Sequence, residues 1–245
     1  HFPVAVLVVK ITFFNSPVMG NWADFLVGEM IPALESAFRV KQGREHRGVF
    51  GKSSGGYGSI VHGMLYSEHW GGIACHSGDM DFDLVYRADF PKVLMHLQAS
   101  DGDIAAFIDG LAEKDKISGD AMHTLMILAM AATYDPAPDR PHGVRLPVDM
   151  ETCELDEEAW ARWLDWDPVH LVERVDVQDN LRSLRALFID CGTKDQYALL
   201  YGARRLHRRL EDLGVSHEYQ EFPDNHSGID YRMDISLLFL YEKLQ

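Results

Sequence analysis

Basic residues are scarce in this chain. Its 245 residues carry 23 Lys+Arg against 38 Asp+Glu, for a formal net charge of −15. That balance argues against a sequence-independent nucleic-acid binder and against a protein that adheres to anionic membranes, since both need a basic surface. The most basic cluster, Arg204-Arg205 with Arg208-Arg209, falls on one predicted helix and reads as a solvated face. Cysteine is scarce too. Cys75, Cys153 and Cys191 are too few and too scattered for a disulfide framework, and no CxxC or Cys/His cluster suggests a metal site. Free thiols fit a reducing, cytoplasmic setting. Long apolar runs are lacking: the longest, Leu125 to Ala132, falls far short of the roughly 20 residues a membrane span needs. No N-terminal signal pattern is visible, and the chain opens on His1 without a methionine, so its natural start is expected further upstream.

What is present is ordinary globular composition, 47% apolar and 25% charged. A single α/β domain over residues 1–245 would bury roughly 70–75% of its unfolded surface. The continuous apolar run Val4 to Val9 reads as a strand covered on both faces. Asn21 to Phe38 has helical spacing, with Trp22, Phe25, Leu26, Met30, Ile31, Leu34 and Phe38 on one face and a kink expected at Pro32. Strands are predicted at 46–52, 72–75, 186–191 and 215–221, and helices at 54–66, 196–213 and 227–244. Between them, residues 79–165 hold helix-like patches and a proline-rich stretch but no evident strand. This segment reads as a helical cap inserted into a mostly parallel sheet with helices on both faces.

The sharpest local signal is Gly51-Lys52-Ser53-Ser54-Gly55, a G-x-S-x-G pentapeptide between a predicted strand and a predicted helix. The turn this motif makes is so tight that a side chain two places either side of the serine would collide with its neighbours. Glycine at both places relieves that and exposes the Ser53 hydroxyl. Ser54 lacks a glycine two places before it. Gly56 and Gly58 would let the helix approach the strand. Neither G-x-G-x-x-G nor G-x-x-x-x-G-K-[ST] is present, which weighs against a phosphate-binding loop.

A serine needs a base, and the base needs an acid behind it. Chain order Ser, acid, His selects two loop positions: Asp195 after the strand 186–191, and His226 after the strand 215–221. Asp190 lies within its strand and would point sideways. His76 precedes the acid. His62 and His207 sit on predicted helices, and His217 is within or just before a strand.

In these residues the chain resembles the esterase D-like branch of the α/β-hydrolases, which includes S-formylglutathione hydrolases, feruloyl-type esterases and mycolyltransferases. The resemblance is carried by G-x-S-S-G-G-Y-G at Gly51–Gly58, A-C-H-S-G at Ala74–Gly78, I-D-C-G-T-K-D at Ile189–Asp195 and the stretch His217–Ser227. Asn15-Ser16-Pro17 and Glu29-Met30-Ile31-Pro32 add to it. It implies an α/β-hydrolase fold, nucleophile Ser53, base His226, acid Asp195, and the Ser54 N–H as one oxyanion donor. The family also carries earlier strands and an H-G loop that donates the second oxyanion N–H, and these are expected to be missing here. An exposed sheet edge would then favour a homodimer. The expected activity is hydrolysis of short-chain acyl esters of small molecules through an acyl-enzyme, without metal or organic cofactor. An acyltransferase on the same triad and a catalytically impaired binding protein are the alternatives. Tyr57, Phe14 and Trp22 are candidates for the substrate pocket. For these and for Tyr134, Trp160, Trp163 and Trp166, core packing is the simpler role.

Overall fold

A computed structural model describes residues 14–245. The strand expected at Val4–Val9 lies outside them. The described residues fall into two compact units: one holds those up to Leu26 with Tyr86–Trp166, the other Val27–Val85 with Asp167–Gln245. Most of the stretch expected to form a cap therefore falls in the first unit.

The second unit is built on a four-stranded sheet. Its strands are β3 (Gly48–Lys52), β4 (Gly72–His76), β5 (Ala186–Gly192) and β6 (Glu218–Phe222), hydrogen-bonded in that order. All three pairings are parallel. Strand period two decides what lies on each face. Ala74 of β4 and Ala186 and Phe188 of β5 cluster with Leu240 and Leu244, so the final helix Met233–Lys243 covers one face. Ile73 points the other way, toward the helix Ser54–Leu65. A β-carbon on Gly63 of that helix would come 2.8 Å from the Ile73 side chain. Strands β4 and β5 are buried at every residue, as their apolar runs predict.

The strands lie close to their predicted places. The main shifts are β6, which starts three residues late, and the last helix, which is preceded by a 3₁₀ turn at Asp230–Arg232. The segment 22–37 departs more. It is helical, but as Trp22–Asp24, a π-helical turn Phe25–Met30 and an α-helix Ile31–Ala37. Pro32 has no N–H to give the carbonyl four residues back, and the wide turn lies just before it. The changed winding breaks up the expected apolar face. Ile31 is buried, whereas Phe25, Met30, Leu34 and Phe38 are exposed.

The first unit is helical, with Phe90–Leu97, Ile104–Ala112, Gly119–Tyr134 and Glu157–Leu164 as its longer elements. Asp103, Ser118 and Asp156 cap three of these helices by accepting backbone N–H groups. The helix Phe90–Leu97 was not anticipated. Its core is aromatic: the Trp163 ring lies 5.7 Å from Phe90, 5.3 Å from Tyr134 and 5.6 Å from Trp160. A short hairpin pairs β1 (Asn15–Ser16) with β2 (Gly20–Asn21). It is tied to the longest helix by Ser16, whose buried hydroxyl donates to the Ala132 carbonyl at 2.8 Å. Asp135, at the end of that helix, accepts from Arg162 Nε and Arg145 Nη2, both at 2.6 Å. Burial pushes its carboxyl up, but the two arginine bonds outweigh that and hold it below the usual aspartate value.

This depressed pKa gives a stability prediction with a definite sign. Asp135→Asn should lower unfolding stability by about 1–2 kcal/mol at neutral pH, a hydrogen-bonded ion pair discounted for its half-exposed arginines. The contribution is complete above the unfolded aspartate pKa of about 4 and disappears as pH falls through the lower folded value. Urea unfolding of parent and variant between neutral and strongly acid pH should show the gap closing on the acid side. A gap that persists there would contradict the assignment.

Candidate active site

Strand β3 ends at Lys52, and the helix Ser54–Leu65 begins two residues later. Ser53 alone makes the turn. Its backbone sits at φ 58, ψ −127, a conformation that L-residues avoid, at a cost of order 1–3 kcal/mol. Two backbone bonds hold it there: the Ser53 N–H donates to the His76 carbonyl, and the Tyr57 N–H donates to the Ser53 carbonyl, both at 2.9 Å. The crowding behind this turn is one-sided. A β-carbon on Gly51 would lie 2.4 Å from the Gly55 carbonyl carbon, and one on Gly56 would lie 2.7 Å from the His76 carbonyl oxygen. A β-carbon on Gly55 would meet nothing within 4 Å. Glycine is thus required before the serine and just after the helix start, and the expectation of a collision at Gly55 is corrected.

Asp195 follows β5, and His226 follows β6. Both loops leave the carboxyl ends of parallel strands, the same end of the sheet at which Ser53 turns. His226 Nδ1 lies 2.8 Å from Asp195 Oδ2. The aspartate side chain is fully buried, and the histidine side chain keeps 12% of its surface exposed. A carboxylate at this distance accepts the Nδ1 proton, so in the neutral imidazole the lone pair lies on Nε2. The other aspartate oxygen accepts the Tyr197 N–H at 2.9 Å. Two neighbours of Asp195 that the sequence reading passed over also hold the histidine. The Gln196 side-chain oxygen accepts the His226 N–H at 3.1 Å, and the Tyr197 ring stands edge-to-face with the imidazole, centroids 5.0 Å apart. Their only signal in the sequence was adjacency to Asp195.

Ser54 is the first residue of its helix, so its N–H has no carbonyl a turn earlier to bond and lies at the positive end of the helix dipole. The buried thiols beneath the site are poor competitors for Ser53. Burial pushes Cys191 up to about 12 and Cys75 higher still, so both stay protonated at neutral pH. Among the candidate pocket aromatics, Tyr57 is buried in the sheet unit, 5.9 Å from Phe82. Phe14 and Trp22 belong to the helical unit. Phe14 is fully buried, 5.0 Å from Trp166, and Trp22 donates its indole N–H to the Met19 carbonyl at 2.7 Å. Two other histidines weighed as bases are engaged elsewhere: His62 is fully buried and accepts from the Trp70 indole at 3.1 Å, and His217 bonds the Val215 carbonyl at 2.8 Å.

A parallel sheet in which a strand turns through a strained serine into a helix, with an acid and a histidine beyond later strands, is an α/β-hydrolase fold. A family model described as "Putative esterase" matches residues 14–237, and the chain belongs to that family. Among curated proteins it is similar to Esterase Rv1288 of Mycobacterium tuberculosis (strain ATCC 25618 / H37Rv), 24% identical over 229 residues that make up 87% of this chain and 39% of that protein. The chain thus spans about two fifths of the length of the curated relatives it matches. Among solved structures, a ferulic acid esterase superposes with a TM-score of 0.54 at 18% identity, over 95% of this chain and 64% of that one. S-formylglutathione hydrolase (FrmB) from Staphylococcus aureus gives 0.50 at 13% identity, over 92% and 64%. At these identities the structural likeness is one of fold.

The one-sided crowding at the turn predicts unequal responses. Gly51→Ala should lose about 1–3 kcal/mol of stability through overpacking against backbone. Gly55→Ala, in open space on a helix, should leave stability unchanged or raise it by up to about 1 kcal/mol. Chemical denaturation of the two variants checks this, and equal losses would contradict it.

Proposed function

We propose that this chain is a serine carboxylesterase that hydrolyses short-chain acyl esters of small molecules through an acyl-enzyme on Ser53. The observation that carries the reading is the serine held at positive φ at the end of a parallel strand, together with a buried carboxylate bonded at 2.8 Å to Nδ1 of a partly exposed histidine. In this mechanism His226 Nε2 takes the Ser53 hydroxyl proton as the oxygen attacks the ester carbonyl. Asp195 holds the tautomer and stabilises the imidazolium that forms. The Ser54 N–H donates to the developing oxyanion. His226 then gives its proton to the departing alkoxide, leaving the acyl group on Ser53. Water, deprotonated by the same nitrogen, releases the acid and restores the hydroxyl. Family membership and the names of the similar proteins support esters as the substrate class.

Fluorophosphonate labelling with peptide mapping, followed alongside turnover of p-nitrophenyl acetate to butyrate, tests the proposal. The expected result is one adduct, on Ser53, and a fall in kcat/KM of at least about 10³-fold in Ser53→Ala with the fold intact. Full turnover in Ser53→Ala would refute it. Product analysis with an added alcohol decides between hydrolysis and acyl transfer: free acid as the main product supports the hydrolase, and transferred ester replaces it with an acyltransferase on the same groups.

A further inference from the structure

Beneath the candidate site runs a second Ser–His–Asp series. Ser236 Oγ lies 2.7 Å from His76 Nε2, and His76 Nδ1 lies 2.7 Å from Asp190 Oδ1. The series continues: Arg232 Nε donates to Asp190 Oδ2 at 2.8 Å, and Arg232 Nη2 donates to Gln220 Oε1 at 2.6 Å. Its guanidinium lies over the Phe222 ring at 4.7 Å. Ser236 is completely buried, His76 and Asp190 are 1% exposed, and Arg232 is 7% exposed. Within the network the Arg232 guanidinium faces the Asp190 carboxylate, His76 Nδ1 faces the same carboxylate from the other side, and His76 Nε2 faces the Ser236 hydroxyl. With both ring nitrogens occupied and the serine shut away from any substrate, this series cannot repeat the surface chemistry.

Its place in the fold gives it another role. His76, Asp190 and Gln220 are register partners across β4, β5 and β6. The His76 carbonyl accepts the N–H of Ser53, and the Asp190 carbonyl accepts the N–H of Ser77. Asp195 lies a few residues beyond Asp190 on the same chain segment. The His226 loop runs from Phe222, whose ring packs against the Arg232 guanidinium, to the 3₁₀ turn Asp230–Arg232 that carries Arg232 itself. The β5 and β6 loops are clamped together as well: Thr193 N–H donates to the Phe222 carbonyl at 2.8 Å and Lys194 N–H to the Asp224 carbonyl at 2.9 Å.

We infer that His76, Asp190, Arg232 and Ser236 are positioning residues, a buried brace that sets the strand ends carrying Ser53, Asp195 and His226 in register for the reaction. The inference rests on the proposed esterase mechanism. None of the four touches the substrate, so their loss should act on kcat and spare KM. Misplacing a reacting group by about an ångström slows a reaction by about 100-fold.

The test compares His76→Phe, which keeps a ring and removes both hydrogen bonds, with His76→Asn, whose amide nitrogen can restore the donor to Asp190. Fluorophosphonate labelling of the parent at Ser53 is measured first. His76→Phe should lower kcat and the labelling rate by roughly 10- to 100-fold with KM unchanged, and His76→Asn should recover most of the loss. A folded His76→Phe with parent-like kcat, or with KM raised and kcat unchanged, would overturn the brace while leaving the esterase reading standing. An unlabelled parent would overturn that reading and the brace with it. If His76→Phe does not fold, Ser236→Ala carries the test. It is expected to lower kcat severalfold at constant KM, and a parent-like kcat would overturn the inference.

Discussion

The turn at Ser53 is the constraint on which the sheet unit depends. A strand must end, reverse through one residue and begin a helix, with so little room that a β-carbon at Gly51 would run into the Gly55 carbonyl. The serine is left in a backbone conformation with an intrinsic cost, and neighbouring strands must supply what holds it there. The His76 carbonyl does this directly, so the shape of the elbow is tied to where β4 lies beside β3. Strain is tolerated at one residue because the neighbouring strand β4, buried at every position, supplies the carbonyl that holds the turn.

Two strand-end aspartates of the sheet unit make the same chemical pairing. In His226 and Asp195, and again in His76 and Asp190, a carboxylate faces Nδ1 of an imidazole at hydrogen-bonding distance. The two pairs differ at the far nitrogen. His76 Nε2 is closed by a buried hydroxyl, whereas the His226 side chain keeps part of its surface open. The same kind of hydrogen bond thus leaves one imidazole enclosed and the other partly open, according to what packs against the second nitrogen. Asp190 carries a further cation, Arg232, so its charge is neutralised within the core. Asp195 instead shares its second oxygen with a backbone N–H.

The helical unit is organised differently. Its core is a group of aromatic rings around Trp163, and among its described residues the buried charge is a single aspartate held by two arginines. Large rings fill space between short helices with little loss of side-chain freedom, and capping side chains finish the helix ends.

How far the sequence reading reached follows from the physics of each element. Apolar runs marked β4 and β5 because a strand covered on both faces has no polar alternation to blur it. Helical spacing marked the longer helices. Glycines flanking Ser53 marked the elbow, and strand-to-loop order selected Asp195 and His226, the pair that the structure brings together. What the sequence could not reveal depends on neighbours distant in the chain. The π-helical turn before Pro32 divides a segment whose apolar residues periodicity had placed on one helical face, and of those residues only Ile31 is buried. The need for glycine at Gly51 but not at Gly55 follows from which backbone atoms meet across the turn. His76, Asp190, Arg232 and Ser236 are spread over 160 positions of sequence separation, and their linkage exists only because parallel register and the final helix bring them together. The sequence by itself determined the chemistry available at each strand end. Tertiary structure decided which imidazole faces outward and which is locked, because the choice lies in what packs against the second ring nitrogen.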